Sequence, residues 1–440
     1  MRISTLSLTA VLLLAGWCAS AQVTPAQRTV IVISLDGFPA YALLDPKSPV
    51  PTLRKMIEQG ATARRMTTVN PTITWPNHTA IVTGVDASRH GLLVNGKITR
   101  TGAWPPVKVE PWIPKEQMVR ATTVYDVAHR AGLTTAQVDW VAIKSAPTIT
   151  WEFPEIPSLD GPIEREMIAR HLVDADTVQQ FGKANILRRD EVWTDAAVYI
   201  LREHKPNLLL YHLLSLDSVH HSYGPGSLAA TAAMAFLDAQ VARIMDAVRA
   251  AGLQDRTTVI VVSDHGFKAV KNHINISAAI AEAGLSDKVY GLPEGGFALL
   301  YVKSEGASET IAALRRKFSA VEGVAEVAGP ERYAALGLPD PSKDPQMSDL
   351  LLFPKTGYAF TSGNGGPVST PVISTGGAHG YINTDPELDA IFIASGSGIR
   401  AGSVVERIHN FDVAPTIAAL LGIRLPADIQ GHVIAEILTH

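Results

Sequence analysis

The chain has 440 residues, of which 46% are hydrophobic and 18% charged, and this composition excludes a protein that is disordered throughout. Its 38 basic and 42 acidic residues give a formal charge of −4, which argues against a protein built to bind long nucleic acids. A single cysteine excludes an intramolecular disulfide framework.

Residues 1–21 predict a cleavable export signal. Arg2 gives a positively charged start, and the apolar run centred on residues 11–15 is too short to span a bilayer. Residues 19–21 read Ala-Ser-Ala, the small-residue pattern that precedes signal cleavage, so we expect the mature chain to begin at Gln22. A buried first helix is the alternative, but no amphipathic period supports it.

The same region bears on membrane attachment. Cys18 suggests a lipoprotein anchor, but Trp17 before it is too bulky for the small residue that such processing needs. Cleavage after residue 21 leaves a mature protein without a thiol. No later stretch reaches about 18 uninterrupted apolar residues, so we expect no membrane span after cleavage and a periplasmic or secreted bacterial protein.

Short apolar runs predict buried strands. They cover Thr29–Leu35, Leu208–Leu214, Thr257–Val262 and Ala390–Ala394, and the first three run directly into polar residues. Continuous rather than alternating apolar runs are typical of strands covered on both faces, as in a parallel sheet.

Helical patterns alternate with these strands. Two of them cover Leu228–Ala251 and Asp412–Leu421; in the second, Asp412 is placed to cap the helix and Pro415 falls in the first turn, where proline is tolerated. The alternation predicts an α/β fold with a doubly wound, mostly parallel sheet flanked by helices.

Two stretches interrupt this pattern and suggest the domain boundaries. Residues 96–195 contain Trp- and Pro-rich loops, and residues 290–375 read as strand, helix and strand followed by a Gly/Pro/Ser-rich loop. We therefore expect an α/β core over 22–289, a small inserted α+β cap over 290–375, and the end of the core over 376–440.

Three predicted strand ends are followed by an aspartate, namely Asp36, Asp217 and Asp264, and ligands gather at the carboxyl ends of parallel strands. Histidines lie close to the last two or in a glycine-rich loop: His220, His221, His265 and His379. Singly, such residues are more often caps, surface groups or satisfied core residues. Together they can hold two divalent ions, and their mixture of imidazole and carboxylate suits zinc. Two cations ~3.5–4 Å apart form a clamp for displacement at phosphorus.

Thr74 is the candidate nucleophile for such a clamp. It precedes a Trp-Pro turn, after which a helix can start near Asn77, and a hydroxyl near a helix N-terminus benefits from the positive end of the helix dipole. Alternatively, Thr72, Thr74 and Thr79 are ordinary capping or strand residues. His78 fits a structural role better than a catalytic one.

In order and approximate spacing these residues resemble the alkaline phosphatase superfamily, and within it the nucleotide pyrophosphatase/phosphodiesterase branch. The elements that carry the resemblance are Asp36-Gly37, Thr74-Trp-Pro-Asn-His78, Asn95, Asp217-x3-His221, Asp264-His265-Gly266, Gly377-Ala-His379-Gly380 and the Asp412-Val-Ala-Pro-Thr416 helix start. They span nearly the whole mature chain, and the resemblance implies an alkaline phosphatase-like fold. The sulfatases of the superfamily do not match, because they require a cysteine or serine in a different nucleophile motif and the mature chain has no cysteine.

The resemblance implies two zinc ions per chain, held by two sets of ligands. The first set is Asp217, His221 and His379, and the second is Asp36, Asp264, His265 and the Thr74 oxygen. It also implies that Thr74 attacks phosphorus to give a covalent phosphoryl-enzyme, which water hydrolyses. Asn95 matches the residue whose amide, with the Thr74 backbone N–H, holds a non-bridging oxygen.

The resemblance also bears on the substrate. Asn95 is neutral, which favours a diester over the dianionic monoester, whereas Lys97 and Lys144 are the cations that would argue for a monoester unless they lie at the surface. Trp75 resembles the aromatic residue that stacks on a nucleobase in this branch, and residues 140–153 could form the opposing wall.

These features favour an exported dizinc phosphodiesterase/pyrophosphatase that acts on a small nucleotide-type diester. Sugar-nucleotide, lysophospholipid or choline-phosphate diesters would use the same core. A phosphomonoesterase or phosphonate hydrolase of the same superfamily is the second enzyme hypothesis, and a non-catalytic binder that retains the fold is the third. The sequence leaves the oligomeric state open.

Overall fold

The computed structural model describes Thr24 and residues 27–439, so the predicted export signal lies outside the described residues. The strands, in chain order, are β1 Thr29–Leu35, β2 Ala61–Thr67, β3 Lys97–Arg100, β4 Val107–Glu110, β5 Thr135–Val138, β6 Trp151–Phe153, β7 Leu208–Leu213, β8 Thr257–Val262, β9 Lys268–Asn275, β10 Val289–Pro293, β11 Ala298–Val302, β12 Val324–Ala328, β13 Leu350–Pro354, β14 Tyr358–Thr361, β15 Ser369–Ala378, β16 Ala390–Gly396 and β17 Ser403–His409.

The helices differ widely in length, from one turn to 23 residues. They are α1 Ala40–Leu44, α2 Pro51–Gln59, α3 Thr74–Thr83, α4 Ala87–His90, α5 Lys115–Met118, α6 Val124–Arg130, α7 Pro162–Ala169, α8 Ala175–Gln179, α9 Ile186–Glu203, α10 Ser215–Tyr223, α11 Leu228–Ala250, α12 Ile276–Glu282, α13 Ala307–Ser319, α14 Pro330–Tyr333 and α15 Val413–Leu421.

An eight-stranded sheet forms the centre of the molecule, in the order β17-β2-β16-β8-β1-β7-β5-β6. Ile31 and Ile33 of β1 point into one hydrophobic core with α2, α9 and α11, whereas Val30 and Val32 point into a second core with α6 and α15. Both faces of β1 are therefore covered, which explains its continuous apolar run. This arrangement confirms the predicted doubly wound α/β fold.

Two predictions need correction, one on the direction of a strand and one on the cap of a helix. The strand beginning at Ala390 runs antiparallel to both of its neighbours, β2 and β8, because an apolar run reports burial on two faces and not strand direction. Asp412 precedes α15, but its carboxylate does not cap that helix. It accepts hydrogen bonds from the backbone N–H of His409 and of His432, and so joins the helix start to the C-terminal segment.

The region 96–195 contributes more to the core than its loops suggested. β5 pairs in parallel with β7, and β6 with β5, so both extend the large sheet at one edge. The β3–β4 hairpin stands apart as a two-stranded sheet. One of the Trp- and Pro-rich stretches of this region, residues 151–162, does not start as a loop. It begins with the edge strand β6, whose three residues are too few to show a period.

A small α+β unit is inserted before the end of the core. Its four-stranded sheet has the order β10-β11-β13-β12, and α12 and α13 pack on one face of it. On the other face, Phe297 and Leu351 pack with Ile73, which directly precedes Thr74. A three-stranded sheet, β14-β9-β15, connects this unit to the core and ends at Ala378, beside His379. We propose that the insertion begins at β9, earlier than residue 290.

Among the described residues, α11 is the helix long and apolar enough to cross a membrane by length and composition. Its Leu237, Val241 and Ile244 are fully buried in the core that they share with β1 and α9. The apolar residues of its inner face are thus covered by the protein itself.

Candidate metal and phosphate site

The carboxyl ends of three adjacent strands bring three aspartates together. Asp36 follows β1, Asp264 follows β8, and Asp217 lies in the first turn of α10 after β7. Gly37 makes the turn after Asp36 with φ +65°, and its N–H donates to Asp264 Oδ1 at 3.1 Å. A Cβ at Gly37 would lie 3.3 Å from the Asp217 Cα, so glycine allows the three segments to converge.

Histidines complete two groups of potential ligands. Asp36, Asp264 and His265 form one group, and Asp217, His265 and His379 form the other, with the ligand atoms of each group within 4.8 Å of one another. His265 and His379 stack with ring centroids 3.7 Å apart. The resemblance implied His265 as a ligand of one ion only, whereas His265 belongs to both groups.

His221 lies at the outer edge of the site. Its Nε2 is 3.5 Å from Asp217 Oδ1, its Nδ1 is 3.2 Å from the backbone oxygen of Gly377, and its side chain is 45% exposed. A Cβ at Gly377 would come within 2.9 Å of the His220 backbone oxygen, so this glycine allows β15 to approach α10 closely. His221 is therefore placed to join Asp217 and His379 around an ion.

Unsatisfied oxygens test whether a metal fits this site. Within the described part of the chain, Asp36 Oδ1, Asp217 Oδ1 and Asp264 Oδ2 are buried without a hydrogen-bond partner. Ring nitrogens of His265 and His379 lie 3.2–3.6 Å from these oxygens. Ligand atoms about 3.3 Å apart are what tetrahedral zinc with bonds near 2.0 Å requires. The site therefore fits zinc.

The pKa values of the site residues also fit a site for a metal cation. Burial, and then the charge of Asp36, raises the pKa of Asp217 and of Asp264 well above the usual carboxyl range. Burial and neighbouring imidazoles lower the pKa of His265 and of His379 well below theirs. Neutral imidazoles beside crowded acids form a site in which a cation relieves the repulsion.

Thr74 is the first residue of α3, and its Oγ1 lies 3.4 Å from His265 Nε2. The helix begins three residues earlier than the sequence predicted, because Pro76 falls in the first turn, where its missing N–H costs nothing. The start of the helix leaves the Thr74 N–H without an intrahelical acceptor. The hydroxyl thus stands at the positive end of a helix, next to the candidate ligands.

Hydrogen bonds fix the segment before Thr74. Thr72 Oγ1 donates to the backbone oxygen of Tyr381 at 2.6 Å, and the Gly380 N–H donates to the Thr72 backbone oxygen. Asn77 accepts from the Val69 N–H and donates to the backbone oxygen of Ile73. These bonds join the segment that carries Thr74 to the loop that carries His379. The hydroxyls of Thr72 and Thr79 are engaged with backbone oxygens.

Asn95 and Thr74 both line a cavity of about 190 Å³. Its Oδ1 accepts a hydrogen bond from the Trp75 N–H at 2.9 Å. This bond fixes the orientation of the amide and leaves Nδ2 as the donor. The residues lining the cavity are Thr74, Trp75, Asn95, Asp139, Val141, Glu155, His212, Leu214, Asp217, His221 and His379.

A larger cavity of about 430 Å³ shares Trp75, Val141 and Glu155 with the small one. Trp75 is only 7% exposed and packs edge to face with Trp112, which is 46% exposed. Trp112 was not singled out from the sequence and offers more free ring surface than Trp75. Residues 140–145 and 152, from the predicted opposing wall, also line this cavity.

Neither lysine that argued for a monoester lines the small cavity; Lys144 lines the larger one, beside Trp112. Lys144 Nζ donates to the Trp112 backbone oxygen at 2.7 Å, and Lys97 Nζ donates to that of Gln117 at 2.6 Å. The small cavity contains no lysine or arginine among the described residues.

Sequence reasoning missed the residues that surround Asp36. His212 lies near the carboxyl end of β7, within an apolar run in which it reads as a core residue, and its Nε2 is 3.0 Å from Asp36 Oδ2. Asp139 follows β5 and contacts His212. Both line the small cavity, as does Glu155. Of these residues, Asp139 could have been found from the sequence, because it is an aspartate directly after a buried strand. His78, fully buried, contacts the Thr74 backbone oxygen and His212, which fits its expected structural role.

Comparison with known proteins identifies the family. Residues 30–382 match the model of the type I phosphodiesterase / nucleotide pyrophosphatase family. Human ectonucleotide pyrophosphatase/phosphodiesterase family member 7 is 25% identical over 435 residues, which cover 96% of this chain and 86% of the relative. Human family member 1 is 24% identical over 91% of this chain but only 40% of its own length.

Solved structures of murine ectonucleotide pyrophosphatase/phosphodiesterase 5 share the fold. An inactive variant in complex with AMP has a TM-score of 0.71 and 19% identity, covering 94% of this chain and all of that one. A second structure of the murine protein gives a TM-score of 0.70. The matched region includes every candidate ligand and Thr74. The chain belongs to the type I phosphodiesterase / nucleotide pyrophosphatase family of hydrolases.

Proposed function

We propose that this protein is an exported enzyme that hydrolyses phosphodiester or pyrophosphate bonds in nucleotide-type substrates, using Thr74 and two zinc ions. The charge of the small cavity supports a diester. It combines neutral Asn95 with the acids Asp139 and Glu155, and the described residues place no lysine or arginine at its wall. A dianionic monoester needs cationic partners that this wall does not supply.

The geometry supports two sets of ligands. Asp217, His221 and His379 would hold one ion, and Asp36, Asp264 and Thr74 the other, with His265 placed between the two sets. Bound zinc would supply the positive charge that favours the Thr74 alkoxide and offsets the charge on the phosphate oxygens.

The protein's own groups would act in two steps. Thr74 Oγ1 loses its proton and attacks phosphorus while the bond to the leaving oxygen breaks, and the leaving oxygen takes up a proton. The phosphate then joins Thr74 to the retained group of the diester, until water hydrolyses the bond to Thr74 and a proton returns to the threonine oxygen. The Thr74 N–H and Asn95 Nδ2 donate to a non-bridging oxygen as its charge develops, because both donors are held in place beforehand.

The larger cavity would hold the group attached to the phosphate. Trp112 and Trp75 offer aromatic surface beside the small cavity, and a nucleobase can stack on such surface whatever its identity. AMP is bound in the solved relative.

A Thr74→Ala variant tests the nucleophile. We expect it to bind as much zinc as the parent protein and to lose at least about 1,000-fold in kcat on bis-p-nitrophenyl phosphate. Thr83→Ala is the matched control, since its hydroxyl bonds the backbone of the same helix at the far end, and it should keep turnover. Full activity in Thr74→Ala would exclude Thr74 as the nucleophile.

Export rests on the sequence pattern of residues 1–21. The proposal is that the mature protein begins at Gln22 and is periplasmic or secreted. Intact-mass measurement of protein from the periplasm or medium decides it: a chain that still carries residues 1–21 contradicts cleavage.

A further inference from the structure

A buried pair formed by Asp139 and His212 stands behind the candidate metal ligand Asp36. His212 Nε2 lies 3.0 Å from Asp36 Oδ2, and His212 Nδ1 lies 3.1 Å from both the backbone oxygen and Oδ2 of Asp139. All three residues are at most 1% exposed. Each ring nitrogen therefore faces only oxygen acceptors, so each acts as a donor.

The hydrogen bond from His212 gives the two carboxylate oxygens of Asp36 different surroundings. Oδ2 is taken by His212, whereas Oδ1 has no hydrogen-bond partner in the described part of the chain and lies 3.4 Å from His265 Nε2. A carboxylate fixed through one oxygen presents the other in one direction. This hydrogen bond thus selects which oxygen of Asp36 faces the site.

The backbone around Asp139 is shaped to make this contact. Asp139 has φ +56°, a left-handed conformation that costs free energy for residues other than glycine. Ala142 and Ser145 in the same loop are also left-handed, with φ +53° and +55°. The Asp139 N–H donates to the Phe153 backbone oxygen, so neighbouring structure holds this conformation. It directs both the carbonyl and the carboxylate of Asp139 at His212.

We propose that Asp139 and His212 are positioning residues that hold Asp36 for the metal ion of the Asp36–Asp264–His265 group. The inference rests on the proposed function, because it requires an ion at that group. Groups that orient a ligand from behind change metal affinity by about 10–100-fold when they are removed.

Two substitutions of His212 separate positioning from packing. His212→Phe keeps a ring but removes both donors, whereas His212→Gln keeps a donor in a side chain of different shape. Positioning predicts that zinc affinity at one of the two sites falls by about 10–100-fold in His212→Phe and by less in His212→Gln. A packing role predicts the reverse order. Asp139→Asn, which tolerates the left-handed backbone, should lie between His212→Phe and the parent protein.

The measurements are zinc affinity by competition with a chromophoric chelator, and the visible spectrum of the cobalt(II)-substituted protein. Asp238→Asn is the matched control, because Asp238 is buried and caps α2 through the Thr52 and Leu53 N–H groups. It should lower the Tm while leaving zinc affinity and the cobalt spectrum unchanged.

The outcomes are distinguishable. A parent protein that binds no zinc contradicts the proposed function itself. A parent that binds two ions, together with folded His212 variants of equal affinity and unchanged cobalt spectra, overturns the positioning role alone. If His212→Phe does not fold, parent-like zinc affinity in Asp139→Asn overturns it.

Discussion

Replacing Asn95 tests whether the site holds a donor ready for the charge that develops on phosphate. Its Oδ1 is bound to the Trp75 N–H, and a flipped amide would set two donors against each other, so Nδ2 is the end left for the substrate. Removing one such donor costs about 100–1,000-fold in kcat, or about 3–4 kcal/mol. We therefore expect Asn95→Ala to lose that much on bis-p-nitrophenyl phosphate.

Asn95→Asp makes the test sharper. Aspartate has nearly the same size and retains an oxygen for the Trp75 N–H, but it replaces the donor with an acceptor and adds a negative charge beside an anionic substrate. We expect a larger loss of kcat than in Asn95→Ala, at equal zinc content. Asn275→Ala is the control: it removes the cap of α12, at a cost of about 1 kcal/mol in stability, and should leave kcat unchanged. An Asn95→Asp variant that keeps more than a tenth of the activity would refute the reasoning.

Three further predictions concern the substrate, the metal and the cap. Trp112→Ala should raise KM about 10-fold for p-nitrophenyl thymidine 5′-phosphate but hardly for bis-p-nitrophenyl phosphate, and equal effects on both would exclude base stacking. The pKa values of Asp217 and Asp264 are raised in the folded protein, so the zinc-free protein loses stability as the pH rises toward those pKa values. Bound zinc takes the place of the protons on these two carboxyl groups and removes that loss. The gain in Tm from zinc should therefore grow from pH 5 to pH 8, and a shrinking gain would contradict this. Burial raises the pKa of Glu294 from 4.5 to about 7, so its contribution to stability is present below pH 4.5 and lost as pH rises through 7. In urea unfolding of the zinc-free protein, Glu294→Gln should match the parent at pH 4.5 and exceed it by up to about 3 kcal/mol at pH 8; a gain at both pH values would show that charge is not the cause.

The strands and the sheet edge could be predicted because their sequence signals are local. Thr29–Leu35 is buried on both faces, and a polar residue directly after such a run has to lie at the carboxyl end of the sheet. Asp36 and Asp264 are therefore recognisable without a structure. Strand direction is different, since Ala390 starts an equally apolar strand that runs the opposite way.

The residues behind the ligands could not be predicted, for physical reasons. His212 is one polar residue in an apolar strand, and nothing in its neighbours indicates that it contacts Asp36. Asp139 takes a left-handed backbone that sequence patterns assign to glycine. The start of α3 at Thr74 was missed because a proline two residues later suggested a turn, although proline is favoured in a first helical turn.

The most direct test of the central claim is kcat/KM of the zinc-loaded mature protein on bis-p-nitrophenyl phosphate and on p-nitrophenyl phosphate, measured side by side. With Asn95, Asp139 and Glu155 at the wall of the small cavity, and no lysine or arginine among its described lining residues, we predict a strong preference for the diester. A strong preference for the monoester would contradict the assignment as a phosphodiesterase.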